Sequence, residues 1–169
     1  EAGSFNTFRG QVSSGFVAGN VDGYVSVTAA HTDGFRDWSE QESLRVMANI
    51  GTKINSNLEN RFYITWVDSK SQLPGALTKA QMEANPQQAN AASLAGRQRR
   101  DYQLLRLANK LTYSDGDNTL TLSTFWSWKD LDHPIFQVID QLSNDLGFDL
   151  RYDHNGSLLG MRNDFSVGT

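Results

Sequence analysis

The chain has 169 residues, a formal net charge of −4 and an apolar share of 38%. That is enough length for one domain, but it is less apolar than an ordinary globular chain at roughly 45–50%. The absence of cysteine excludes a disulfide framework and cysteine-ligated metal sites, and the mildly acidic charge gives no electrostatic reason to expect nucleic acid as a partner. No apolar run approaches the roughly 18 residues of a membrane-spanning helix. The opening EAGSFNTFRG has neither the charged nor the apolar region of a signal peptide.

Period-two alternation runs through the chain, as on strands whose side chains point to opposite faces in turn. Phe5–Ala18 sets Phe8, Gly10, Val12, Ser14 and Phe16 against Arg9, Gln11 and Ser13. A turn near Asn20 leads into Gly23–His31, where Val25, Val27 and Ala29 alternate with Tyr24, Ser26, Thr28 and Ala30. After a polar loop, Thr32–Glu42, comes an amphipathic hairpin of Ser43–Ile54 and Leu58–Lys70 joined by Asn55-Ser56-Asn57. Its apolar face carries Leu44, Val46, Ala48, Ile50, Phe62, Ile64 and Trp66, and its polar face Arg45, Asn49, Lys53, Glu59, Arg61 and Thr65.

A long connection, about Asp68 to Arg100, follows. Leu73-Pro74-Gly75 is a turn signal. Thr78 and Gln81 have capping-box spacing, predicting a short helix from Lys79 to about Ala84 ended by Asn85-Pro86. Gln87–Gly96 is predicted irregular. Strands resume at Asp101, with Leu105, Leu107, Leu111 and Tyr113 on one face, turn at Ser114–Asn118, and return through Thr119–Lys129. A second sizeable loop is predicted over Asp130–Asp145, then a strand with Leu146, Phe148, Leu150 and Tyr152. His154-Asn155-Gly156 is read as the last hairpin turn, before a strand with Leu159, Met161, Phe165 and Val167.

The fold class expected is all-β, an antiparallel meander of about eight strands. Short connections near Asn20, Asn55, Asp115 and Asn155 alternate with long ones near Gly34, Ala84 and Gln137, so all short turns fall at one end and all long loops at the other. On the apolar face Trp66, Trp126 and Trp128 lie at the long-loop end, and Phe16, Tyr113 and Tyr152 at the short-turn end. Two aromatic belts separated by aliphatic residues fit a lipid slab with interfacial girdles. About eleven residues at about 3.3 Å each, tilted about 40°, rise roughly 28 Å, close to the height of such a band. The chain begins without Met and stops within an alternating segment, so it is expected to be a piece of a larger barrel in the bacterial outer membrane. A soluble β-sandwich, in which Leu122, Trp126 and Phe148 would be buried under a second sheet, is the competing architecture.

In this setting the order of motifs resembles the barrel of TonB-dependent outer-membrane receptors, particularly siderophore and ferric-citrate receptors. The motifs are Asp33-Gly34-Phe35-Arg36-Asp37, Leu73-Pro74-Gly75-Ala76-Leu77-Thr78 with Lys79-Ala80-Gln81-Met82, Asn85-Pro86, Arg100-Asp101 and Leu131-Asp132-His133-Pro134-Ile135. The resemblance implies a barrel of roughly 22 strands with a plugged lumen, of which residues 1–169 would be a partial wall with the plug domain absent. It implies energy-coupled uptake of a ferric-siderophore or similar chelate, outer-membrane lipid and lipopolysaccharide around the barrel, and plug and TonB as partners through other parts of the protein. A passive porin-like channel is the alternative.

On this reading Arg45, Lys53, Glu59, Arg61, Arg106, Lys110, Lys129, Asp149 and Arg151 face the lumen, most of them paired between neighbouring strands. Arg36, Arg97, Arg99 and Arg100 cluster at loop-to-strand junctions, where guanidinium forks suit carboxylate-rich ligands or, equally, lipopolysaccharide phosphates. Trp38, His133, Phe136 and Gln137, with Phe35, complete the candidate binding loops. His31, His133 and His154 do not converge, and no spacing matches a zinc motif. Asp130 and Asp132 read as strand termination. With no nucleophile elbow, Walker sequence or GxGxxG, neither catalysis nor a cofactor is expected.

Overall fold

The computed structural model describes residues 1–169, apart from the side chain of Leu158. The strands are β1 (Ala2–Gly3), β2 (Thr7–Ala18), β3 (Val21–Thr32), β4 (Gln41–Lys53), β5 (Leu58–Ser71), β6 (Asp101–Asp115), β7 (Asn118–Pro134), β8 (Val138–Leu158) and β9 (Met161–Gly168), with helices α1 (Lys79–Ala84) and α2 (Ala91–Ala95) between β5 and β6. All nine strands form one sheet in sequential order, each pair antiparallel. This is the all-β meander expected, with a two-residue edge strand, β1, added.

Directly opposed residues of an antiparallel pair share a face, so the register defines both surfaces. One row of the apolar face runs Val25, Ala48, Ile64, Leu107, Trp126 and Leu146, and the next runs Val27, Val46, Trp66, Leu105 and Trp128. Toward the short turns, Tyr113 and Tyr152 flank Leu120, and Phe16 lies against Gly23. The row of Trp66 and Trp128 therefore lies toward the long loops and that of Tyr113 and Tyr152 toward the short turns, while the row of Phe16, through Gly23, Ile50, Phe62 and Thr124, is next to that of Trp126.

Exposure shows how the sheet curves. The buried side chains of the strands, Ser26, Val67, Ser127 and Leu131, all lie on the charged face, whereas Val12, Leu146 and Phe148 on the apolar face are 77%, 83% and 70% exposed. No second sheet covers either surface among the described residues. Side chains therefore converge on a concave charged face and splay on a convex apolar one. The soluble sandwich is excluded on this ground, since Leu122 and Phe148 are exposed.

Four local expectations need correction. The predicted loop over Asp130–Asp145 is a hairpin: β7 runs to Pro134, β8 starts at Val138, and only residues 135–137 form the tip. Asp130 and Asp132 therefore sit inside the ladder, opposite Leu142 and Asp140, and terminate nothing. His154-Asn155-Gly156 is not a turn: Asn155 pairs with Asp164, and the chain reverses at Leu159-Gly160. Both reversing residues have positive φ, 53° and 79°, as a two-residue primed turn requires. Finally, Gln87–Gly96 is not irregular throughout, because Asn90 caps α2 by accepting from the Ala92 and Ser93 amides. Helix α1 forms as predicted, with Thr78 and Gln81 satisfying each other's backbone amides.

The outer edge of β9 and the outer edge opposite β3 carry unpaired backbone groups among the described residues, and such edges are templates for aggregation. Residues 1–169 expressed alone are expected to aggregate in detergent-free buffer, measured by sedimentation velocity. A monomer with a cooperative unfolding transition in plain buffer would contradict this.

Candidate ligand-binding site

The long connections at one end of the sheet are knitted together. Arg36, in the β3–β4 loop, donates from Nε and Nη2 to the Gln88 carbonyl (both 3.0 Å), from Nη1 to Gly75 O (2.7 Å) and from Nη2 to Pro74 O (3.2 Å). Trp38, held at φ 58°, donates from Nε1 to Gln98 O at 2.7 Å. Asp37 N bonds Gln87 O, Asn90 N bonds Pro74 O and Leu73 N bonds Gln98 O. Gly75, at φ 70°, lies so close that an added Cβ would be 2.2 Å from Ser93 Oγ; only glycine fits that reversal.

The predicted binding residues divide by this geometry. Arg36 and Trp38 have their polar groups engaged by backbone carbonyls. Arg99 bridges Asp132 (2.5 Å) and Asp101 (3.1 Å), and the hydrogen bond to Asp132 holds its guanidinium above the usual arginine range. His133 Nδ1 contacts Arg99 O at 2.7 Å. Arg97, Arg100, Phe136 and Gln137 are exposed, Phe136 at 94% on the β7–β8 tip. Phe35 stacks edge-on against Phe5.

Below these loops, on the concave face, a concavity of about 460 Å³ is lined by Arg9, Arg45, Arg100, Tyr102, Ser43 and Ser69, with Glu1 and Glu42 also bordering it. Arg100 and Lys129 each lie 5.9 Å from the centre of the Tyr102 ring, within range of a cation–π interaction. Arg9 and Tyr102 were not singled out by sequence; they join Arg45 because the register puts Arg9, Ala30, Ser43, Ser69 and Tyr102 in one cross-strand row.

The expectation that most concave-face charges are paired is not met. Arg61 bridges Asp22 (2.7 Å) and Glu59 (3.4 Å) and donates to Asn49 Oδ1, and Arg151 pairs with Asp153. Arg9, Arg45, Arg106, Lys110 and Lys129 make no ion pair among the described residues. The cross-strand neighbours of Arg45 are Thr28 and Val67 and those of Arg106 are Thr65 and Ser127, none of them a carboxylate, whereas Arg9 exchanges backbone hydrogen bonds with Glu1 without an ion pair between their side chains. The concave wall is left with excess positive charge beneath the loops.

His31, His133 and His154 lie on β3, β7 and β8. His31 meets Glu40 and Glu42, all their donor atoms lying within 4.8 Å of one another. The signal was present only in the register, which opposes His31 to Glu42.

No family model matches the chain. Among solved structures it is similar to the ferric citrate transporter FecA in its unliganded form, with a TM-score of 0.86 over 98% of this chain at 14% identity. The chain spans about a quarter (26%) of the length of that transporter. The nine-stranded sheet therefore has the fold of a stretch of that transporter, which agrees with the expected all-β barrel segment.

Proposed function

We propose that residues 1–169 are a partial barrel domain of a TonB-dependent outer-membrane receptor that takes up a ferric chelate of the siderophore or ferric-citrate type by energy coupling. The apolar convex face then meets outer-membrane lipid, with Phe16, Trp66, Tyr113, Trp126, Trp128 and Tyr152 as its interfacial girdles, and lipopolysaccharide surrounds the loop end. The plug and the TonB contact belong to parts of the receptor outside these residues. The chain performs no catalysis.

The observation that carries this reading is the cationic concavity on the inner face of a sheet folded like a ferric citrate transporter's wall. Anionic chelates present carboxylate and hydroxamate oxygens, and guanidinium groups without competing carboxylates bind them best in a partly desolvated recess. Arg9, Arg45 and Arg100 are placed for that contact. Among the loop residues, Arg97, Phe136 and Gln137 have free surface for ligand, while Arg36, Trp38, Arg99 and His133 act by holding the loops over the recess.

Uptake of radiolabelled ferric citrate and ferric hydroxamates by receptor-deficient cells carrying the full-length protein tests the proposal. Uptake is expected to require energy coupling, and Arg45→Ala is expected to weaken chelate binding about tenfold, the loss of one charge-assisted contact worth about 1.5 kcal/mol. Uncoupled, non-saturable flux of small solutes would instead establish a passive channel and overturn it.

A further inference from the structure

We propose that His31, Glu40 and Glu42 form a binding site for a first-row divalent metal ion of the Zn²⁺ class at the loop end of β3 and β4. The backbone supplies the arrangement. Glu42 is the second residue of β4 and Glu40 immediately precedes the first, Gln41, and His31, near the end of β3, lies directly across the ladder from Glu42. Their donor atoms lie within 4.8 Å of one another. Donors bound to one ion at about 2.0–2.2 Å each lie within about 4.4 Å of one another, so only a small side-chain adjustment is needed.

The imidazole is oriented for ligation. Its Nε2 is 3.0 Å from Asp33 Oδ1, so this nitrogen carries the proton and donates to the carboxylate. Nδ1 then presents a lone pair toward Glu42 Oε1 at 3.6 Å. That separation is too long for a hydrogen bond and suits two ligands of a shared ion. Carboxylate-held imidazoles of this kind are the usual outer shell of a histidine–metal site. Glu40 is also fixed from behind: its Oε2 accepts from Gln72 Nε2 at 3.2 Å, and its backbone is bonded to Gln72 in both directions.

Charge and donor type define the ion. Asp33, Glu40 and Glu42 supply three carboxylates, and the cross-strand neighbour of Glu42 on the other side, Lys70, makes no ion pair with them among the described residues. A nitrogen donor beside carboxylate oxygens suits Zn²⁺ or Mn²⁺ rather than the all-oxygen shells of Ca²⁺ and Mg²⁺. Half-exposed ligands leave coordination positions for water, so the ion serves as a clasp closing the Asp33–Glu40 loop at its base. The site does not depend on the transport reading, because His31 and Glu42 lie in the neighbouring row, between Phe8 and Lys70, and the ion needs no chelate.

The test is calorimetric titration of the full-length protein in detergent micelles with ZnCl₂, MnCl₂ and CaCl₂. One Zn²⁺ per chain at micromolar Kd is expected, with CaCl₂ at least tenfold weaker. His31→Ala and the isosteric Glu40→Gln should each weaken Zn²⁺ at least tenfold, Asp33→Asn about tenfold, and His154→Ala not at all. X-ray absorption of the Zn²⁺-loaded wild type supplies a readout independent of any variant's folding, expected to show one imidazole with oxygen neighbours. Zn²⁺ affinity unchanged in folded His31→Ala, or a zinc shell without imidazole, would overturn the site and leave His31 as an ordinary partner of Asp33 and Glu42.

Discussion

Arg36→Met is expected to release the loop assembly above the sheet while leaving the strand ladder intact. The side chain donates to carbonyls of Pro74, Gly75 and Gln88, residues 38, 39 and 52 positions away in sequence. Each bond has a charged donor, and such bonds contribute about 1.5–3 kcal/mol apiece when desolvated. Arg36 is half-buried, and bonds sharing one side chain are not additive, so the net loss is about 3 kcal/mol, or roughly a hundredfold in the local opening equilibrium. Hydrogen exchange is expected to accelerate by that factor at the Asp37 and Asn90 amides, which bond Gln87 O and Pro74 O, and to stay unchanged in the β5–β6 ladder. Arg36→Lys should not rescue, because a compact ammonium cannot serve three diverging carbonyls. Equal protection of Asn90 in wild type and Arg36→Met would show that the loops are held by something else.

The same residue shows where sequence reasoning reaches its limit. A guanidinium in an exposed polar loop reads as a fork for an anionic ligand, and nothing local reveals that its acceptors are backbone carbonyls of a segment about fifty residues on. The capping box at Thr78 was legible because its whole hydrogen-bond cycle lies within four residues. The five residues of α2 were not, because so short a helix shows no 3.6-residue period. Strand positions across the apolar face were legible wherever one side of the ladder is apolar and the other polar. Beyond that band, at Asp130–Asp132 or Asp153–Asn155, both sides meet water or charge, the contrast vanishes, and an extended ladder reads as loop. At Asn155-Gly156 a favourable turn dipeptide lost to cross-strand pairing that continues to Leu158. The clustering of Arg9 with Arg45, and of His31 with Glu42, needed the register, which single-strand alternation does not contain.

The division between faces makes the most demanding prediction. Ile64 and Met47 are both apolar and lie at neighbouring levels of adjacent strands, but on opposite surfaces. Ile64 is flanked by Ala48 and Leu107 on the convex face, and Met47 by Ser26 and Thr65 on the concave one. If the convex face meets lipid, Ile64→Lys places an ammonium between the row of Trp66 and Trp128 and the row of Tyr113 and Tyr152. Near the midplane that costs about 2–4 kcal/mol, reduced where the side chain reaches an interface. Met47→Lys adds a cation to a hydrated inner wall and should shift stability by less than about 1 kcal/mol, since surface substitutions away from packed features stay near ±0.5 kcal/mol. Urea unfolding of the full-length protein refolded into phospholipid vesicles, followed by tryptophan fluorescence, measures both. A burial argument without lipid predicts only a small asymmetry, because Met47 at 55% exposure and the half-buried Ile64 are both partly open to solvent in the bare sheet. Equal destabilisation by the two lysines would therefore remove the membrane from the account, whereas a gap of about 2 kcal/mol or more is what an apolar medium against the convex face produces.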